Sequence, residues 1–421
     1  MSISRRYFLK NTGLSLFGAA VVPSFLRRAA YAMEQPGRKK ILVAIFQRGA
    51  ADGLNIVVPF GEKNYYSMRP SIAIPQPSQR SESGPSAIDL DGFFGLHPSL
   101  SSLKPLFDAR HLAVIHAAGS PDSTRSHFDA QDYMESATPG VKATPDGWLN
   151  RFLQSAPHTD ATPFRAVAFS ASTPRTMMGA APCLCTQDLQ GFHLAGKANR
   201  GAQLLASAYE EMYASASDRL LSSTARETFE AISTLQRIQI GEYQPENGAQ
   251  YPRGPLGKSL QQIAQLIKSD AGLEVAFAEA GGWDHHVNEG GVNGQLATRL
   301  KDFGDSLAAF YNDMGDRMAD ITVLTMSEFG RTAHENGNRG TDHGHAHAMF
   351  VLGGPVKGGK VYGDWPGLKD HQLHEGRDLE LTTDFRDVFA EVATRHLGVK
   401  DSGGIFPGYA VSPKRFRGFL G

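Results

Sequence analysis

The stretch KILVAIF at residues 40–46 runs without a break into Gln47-Arg48-Gly49-Ala50-Ala51-Asp52-Gly53-Leu54-Asn55, and it sets the fold to be expected. A short apolar run rich in β-branched residues, closed by glycine and polar residues, reads as a strand buried on both faces. Five further runs of this kind lie at 111–117, 164–169, 273–278, 321–326 and 349–352. Stretches with helical spacing lie at 197–213, 218–239, 260–268, 296–318 and 384–396. Buried strands alternating with helices predict an α/β fold, a mostly parallel sheet covered by helices on both faces. Residues 40–421 are expected to form this one domain, with 197–268 as a mainly helical insertion or cap. Two segments break the rhythm: 75–95, rich in Ser, Pro and Gly, reads as a surface excursion, and 173–201 has no clear period.

In an open α/β sheet ligands bind beyond the carboxyl ends of the strands, so the residues after each strand carry the interest. Asp52 and Gly53 follow the first. Ser123-Thr124-Arg125-Ser126-His127-Phe128-Asp129 follow the run at 111–117, and Gly281-Gly282-Trp283-Asp284-His285-His286 follow that at 273–278. After 321–326 come Ser327-Glu328-Phe329-Gly330-Arg331-Thr332 and then Gly340-Thr341-Asp342-His343-Gly344-His345-Ala346-His347. These polar clusters are expected to converge on one edge of the sheet. Carboxylate and imidazole are the ligand set of divalent zinc, manganese or iron. Asp284 with His286, and Asp342 with His343 and His345, stand close enough in sequence to grip one ion, and Asp52 has a matching position. His343, His345 and His347 alternate, so an extended backbone would put them on one face. The choices between His285 and His286, and between His343 and His345, stay open, because loop conformation decides which ring faces inward. For any one of these histidines the plain alternative is a loop cap bonded to backbone.

Ser126 precedes an amphipathic segment at 127–135, with Asp129 three residues on, which is the pattern of a helix N-cap. A helix start after a strand is also an anion site, where free N–H groups and the helix dipole hold phosphate or sulfate. Arg125, Arg48 and Arg331 offer bidentate contacts to such an anion, unless each pairs with a nearby carboxylate.

The N-terminus reads as an address. Ser4-Arg5-Arg6-Tyr7-Phe8-Leu9-Lys10, a weakly apolar stretch at 13–22 and Ala30-Tyr31-Ala32 make a removable twin-arginine signal over residues 1–32. The expected partner in export is the twin-arginine translocase, and the expected destination is the periplasm or the exterior. The apolar stretch is roughly half the ~20 residues that span a bilayer, so no stable membrane insertion is expected. Five of the 42 basic residues and none of the 43 acidic ones fall in this segment, which leaves the remainder at 37 against 43, a formal charge of −6. A mildly acidic chain has no basic footprint for nucleic acid. Cys183 and Cys185 are too close for an easy disulfide and too few for an iron–sulfur cluster.

The pieces Gly49-Ala50-Ala51-Asp52-Gly53, Ser126-His127-Phe128-Asp129-Ala130-Gln131, Gly281-Gly282-Trp283-Asp284 with His286, Ser327-Glu328-Phe329-Gly330-Arg331-Thr332 and Asp342-His343-Gly344 resemble the motifs of a twin-arginine-exported family, domain of unknown function 1501. The likeness runs from about residue 40 to the C-terminus, and the first piece is one alanine longer than the family pattern. The resemblance implies an alkaline-phosphatase- and sulfatase-like fold. By it Asp52 would be a metal ligand, Ser126 the nucleophile or its equivalent, Asp284 and His286 a metal pair, and His343 or His345 a further ligand. Glu328-Phe329 stands where many members of that superfamily have Asp-His, which implies that one of two metal sites is altered or absent. Ser126 also lacks the Cys/Ser-x-Pro-x-Arg setting of formylglycine sulfatases.

The leading expectation is therefore a metal-dependent hydrolase or transferase acting on a small anionic substrate, a phosphate or sulfate ester. Asp52, Asp284, His286, Glu328, Asp342, His343 and His345 are its candidate ligands for zinc, manganese or iron. Ser126 is its nucleophile, and Arg125 or Arg331 stabilises charge on the non-bridging oxygens. The alternative is a non-catalytic binding or assembly protein that keeps the fold and a partial metal site. A copper oxidase built on the His343–His347 tract fits less well, since such enzymes are all-β and need several such tracts.

Overall fold

The computed structural model describes residues 39–77, 84–142, 144–156, 162–189 and 243–421. The expected export signal at 1–32 and the larger part of the expected helical insertion, up to 242, lie outside the described residues. The strands are β1 (Ile41–Arg48), β2 (Val57–Val58), β3 (Ile88–Asp89), β4 (Gly95–Leu96), β5 (Leu112–Gly119), β6 (Ala166–Phe169), β7 (Leu184–Thr186), β8 (Val275–Gly281), β9 (Ile321–Met326), β10 (His347–Gly353), β11 (Lys360–Tyr362) and β12 (Thr383–Asp384). The described helices are α1 (Gly53–Ile56), α2 (Lys63–Met68), α3 (Lys104–Asp108), α4 (His127–Ser136), α5 (Trp148–Ser155), α6 (Pro255–Lys268), α7 (Gln295–Met314) and α8 (Phe385–Glu391).

The main sheet runs β11-β5-β10-β9-β1-β8-β6-β7, with β12 beside β5. β1 lies at its centre, parallel to both β8 and β9. Its side chains alternate as a buried strand requires. Ile41, Val43 and Ile45 join one core with Leu260 and Ile263 of α6 and Leu300, Phe303 and Leu307 of α7. Leu42, Ala44 and Phe46 join the other with Trp148 and Phe152 of α5 and Phe385 and Phe389 of α8. Each of the Val, Leu, Ile and Phe side chains among them stabilises the fold by about 1.5–3 kcal/mol on burial. The architecture is thus α/β, mostly parallel, with helices on both faces.

β10 is antiparallel to both its neighbours, β5 and β9. The start of β10 therefore lies at the sheet edge where β9 ends, and residues 327–346 are held there between the two strands. The run at 296–318 ends earlier as a helix, because Gly315 at φ +50° closes α7. The segment at 75–95 is only in part an excursion: its end supplies β3 and the start of β4, and β4 pairs with both β3 and β2 in a small separate sheet.

Two buried histidines make stability depend on pH. Burial pushes His116 and His396 down to about 4, against about 6.5 in an unfolded chain. Their folded-state affinity for protons is depressed, so stability is fully present above about 6.5 and is lost as pH falls toward about 4. The urea midpoint of metal-free protein is expected to drop across that interval, and to drop less in His396→Gln. A midpoint independent of pH there would contradict the neutral state of these rings.

Candidate metal centre

Beyond β1 the chain turns through Gly49 at φ +118° and Ala50 at φ +64°. A Cβ on Gly49 would stand 2.7 Å from the backbone nitrogen of Asp284, so glycine lets the β1 and β8 turns close on each other. Gly340 does the same for the loop before β10, where a Cβ would meet the His286 backbone at 2.4 Å. These approaches bring the loops after β1, β8 and β9 to one place, and the Arg125 carbonyl, held by His343 Nδ1, brings the loop after β5 beside them.

Four side chains meet there. His127, Asp284 and His343 each place a ligand atom within 4.8 Å of the others. His343 Nε2 is 3.0 Å from His127 Nε2, 2.9 Å from His286 Nε2 and 3.2 Å from Asp284 Oδ1. His286 Nε2 is also 3.0 Å from Asp284 Oδ1. The second nitrogen of each ring faces a group that has no hydrogen to give. His127 Nδ1 donates to Glu328 Oε1 at 2.8 Å, His286 Nδ1 to Asp342 Oδ1 at 3.0 Å, and His343 Nδ1 to the Arg125 carbonyl at 2.9 Å. In neutral rings the Nε2 atoms then carry lone pairs, and they cannot hydrogen-bond to one another. Facing lone pairs at about 3 Å beside a carboxylate ask for a cation, and imidazoles fixed through Nδ1 by carboxylate or carbonyl are the usual form of a metal-ligating histidine. The donor set suits zinc, manganese or iron.

The hydrogen bond to Glu328 raises His127, while burial lowers His343. Burial works to raise Asp284, but the hydrogen bond and charge of Arg331 outweigh it and hold that carboxyl below its ordinary range. Burial likewise works to raise Glu328, and donation from His127, Gln131 and Gly49 keeps it ionised. The hydrogen bond from His286 lowers Asp342.

Asp284, His286 and His343, named from sequence, thus come together. Asp342 and Glu328 stand one layer out, holding the rings; Glu328 is fully buried and also accepts from Gln131 Nε2 and the Gly49 amide. Replacing Glu328 by glutamine is expected to weaken metal binding by about 10–100-fold, as measured by competition with a chromophoric chelator. Unchanged affinity would mean that the His127 orientation does not depend on this carboxylate. Asp52 lies apart: it is buried and bound in a bidentate pair by Arg69, at 2.5 and 2.9 Å. His345 is also elsewhere, stacked on His374, and His347 is buried at the start of β10. The three alternating histidines do not share a face, because the chain bends through 343–346 before β10 begins.

Arg331 is buried and donates to Asp284 Oδ1 at 2.7 Å and to Thr341. The Arg125 guanidinium donates to Glu375 and Asp378. Both arginines are therefore committed to carboxylates. Ser126 is the exposed N-cap residue of α4, and its side chain makes no capping hydrogen bond. His127 is the candidate ligand that sequence reasoning missed. Its place as first residue of α4, at the same sheet edge, was the available signal.

The chain belongs to the DUF1501 family, described as a protein of unknown function, whose model matches residues 39–406. No curated protein matches it. Solved structures that resemble it include PsFucS1 sulfatase from Pseudoalteromonas sp. at TM-score 0.37 and 10% identity, covering 90% of this chain and 71% of that one. The C-terminal periplasmic domain of EcEptC from Escherichia coli, in complex with Zn, has TM-score 0.29 and 10% identity over 75% of this chain and 73% of that one. Alkaline phosphatase from the Antarctic bacterium TAB5 has TM-score 0.29 and 11% identity over 76% and 93%. These likenesses are faint, and the fold rests on the strand order given above. Among the described residues no helix is long and apolar enough to cross a membrane.

Proposed function

We propose that the chain is a divalent-metal-dependent hydrolase or transferase of phosphate or sulfate esters, with an alkaline-phosphatase-like fold, exported by the twin-arginine translocase to the periplasm or beyond. The observation that carries this reading is the convergence of the His127, His286 and His343 Nε2 atoms on Asp284, each ring locked from behind. Those four residues would hold the ion. A bound divalent ion supplies stabilisation of the negative charge that develops on the oxygens of a transferring phosphoryl or sulfuryl group.

The chain's own groups do the rest. Ser126 presents a hydroxyl one residue before His127, at the start of α4, where first-turn N–H groups and the helix dipole attract an anion. In the transfer its oxygen bonds to phosphorus or sulfur as the ester oxygen leaves with a proton, and water then cleaves the covalent intermediate. Arg331 orients Asp284, and the Arg125 carbonyl orients His343, so both arginines serve as positioning residues.

A second reading, a non-catalytic metalloprotein, is favoured by one observation: His127, Asp284 and His343 lie together with His286 beside two of them, enough donors to close a four-coordinate zinc shell, and closed zinc sites are the structural ones. A six-coordinate manganese or iron ion leaves positions for substrate. The separating test is an assay of metal-loaded protein on aryl phosphates and aryl sulfates, beside Ser126→Ala and Asp284→Ala. Turnover of one ester class, lost in both variants, is expected. Full metal loading without turnover would overturn the catalytic reading in favour of the second.

A further inference from the structure

Another group of ligand-type side chains lies outside this centre. His345, His374 and Glu380 each place one ligand atom within 4.8 Å of the others. The rings of His345 and His374 stack with centroids 4.0 Å apart and 13° between their planes. His374 Nδ1 is 3.6 Å from Glu380 Oε2, beyond hydrogen-bond reach. His374 Nε2 is buried and has no hydrogen-bond partner among the described residues. His345 is only 6% exposed, its ring face covered by that of His374.

Buried polar groups nearly always find a partner, and one that does not calls for an ion or water. Here His374 Nε2 is such a group, a second imidazole is stacked on its ring, and the Glu380 carboxylate stands beside it. We propose that His345, His374 and Glu380 form a second site for a divalent transition-metal ion, separate from the first.

Two imidazoles and a carboxylate are a sufficient donor set for zinc or cobalt, with solvent completing the shell. Bonds of about 2.0–2.2 Å bring ligands to within roughly 3.5 Å of one another, so binding must draw the group together. The Glu380 side chain is 42% exposed, and its Oε1 accepts only from the Leu381 amide among the described residues, so a small rotation can carry Oε2 inward. The position gives such an ion a structural consequence. The loop between His374 and Glu380 carries Asp378, which binds the Arg125 guanidinium, and Arg377, which donates to the His343 carbonyl. An ion joining His345 to this loop would brace the wall on which His343 rests.

The test is titration of the metal-free full chain with Co²⁺, following visible absorption and calorimetric stoichiometry. Wild type, His374→Gln, Glu380→Gln and Asp284→Asn are compared, with circular dichroism to confirm folding. Wild type should bind two ions. His374→Gln and Glu380→Gln should each lose one ion or weaken it at least tenfold, and Asp284→Asn should lose the other, with a different residual spectrum. Should His374→Gln misfold, Glu380→Gln decides alone, since its side chain is partly exposed. Wild-type stoichiometry and affinity retained in Glu380→Gln and in folded His374→Gln would overturn the proposal. So would a wild type that binds a single ion lost only in Asp284→Asn, or no ion at all.

Discussion

Arg69→Met is expected to destabilise the protein by about 3–5 kcal/mol in urea unfolding, the effect of removing one partner from a buried ion pair. Arg69 is fully buried after α2, binds both oxygens of Asp52, and donates to the carbonyls of Thr332 and Ala333. Burial works to raise Asp52, but the Arg69 charge overrides it and keeps the carboxyl ionised. Burial, and then the Asp52 charge, push the neighbouring Glu289 well above its usual range, which favours its neutral form. Without Arg69 the Asp52 carboxylate would be stranded. The double variant Arg69→Met/Asp52→Leu should recover most of the loss, because it removes the charge together with its partner. A loss below about 1 kcal/mol in the single variant, the range of a solvent-exposed pair, would show that Asp52 is not a structural anion.

His343→Ala is expected to lower metal affinity at the His127, Asp284, His286 and His343 centre by more than about 100-fold, since loss of an outer partner alone costs about 10–100-fold. His343 is the ring that both other imidazoles approach, so its loss disperses the set. The fold should survive, because the ring is partly exposed and lies outside both large cores. Circular dichroism like that of wild type, with metal released to a chelator that leaves wild type loaded, is the expected pair of results. Retained affinity would place the ion elsewhere.

The layout of the sheet was legible because its central strands are apolar on both faces. The run at 321–326 coincides with β9, and the other predicted strands differ only at their ends. Strand direction was not legible, since side-chain alternation is the same for either direction, and β10 turned out antiparallel. β7, β11 and β12 are too short to leave a periodic trace. At the centre, Asp284, His286 and His343 could be found from residue type and position after a strand. His127 could not be separated from an ordinary helix start behind Ser126. The role of Glu328 was hidden for another reason. Whether a carboxylate touches the ion or holds a ring from behind depends on loop geometry. Asp52 has the position of a ligand after β1, and only the fold reveals that Arg69, seventeen residues on, neutralises it. Arg125 and Arg331 were read through their charge. Structurally, the Arg125 carbonyl and the Arg331 contact with Asp284 are what reach the centre.

The most direct test of the metal centre is the metal content of the purified protein, by plasma mass spectrometry, beside Asp284→Ala purified in the same way. The expected result is zinc, manganese or iron in wild type, with about one equivalent missing from the variant, as a one-ion centre requires. Wild type without metal above background, or a folded Asp284→Ala with undiminished content, would contradict it.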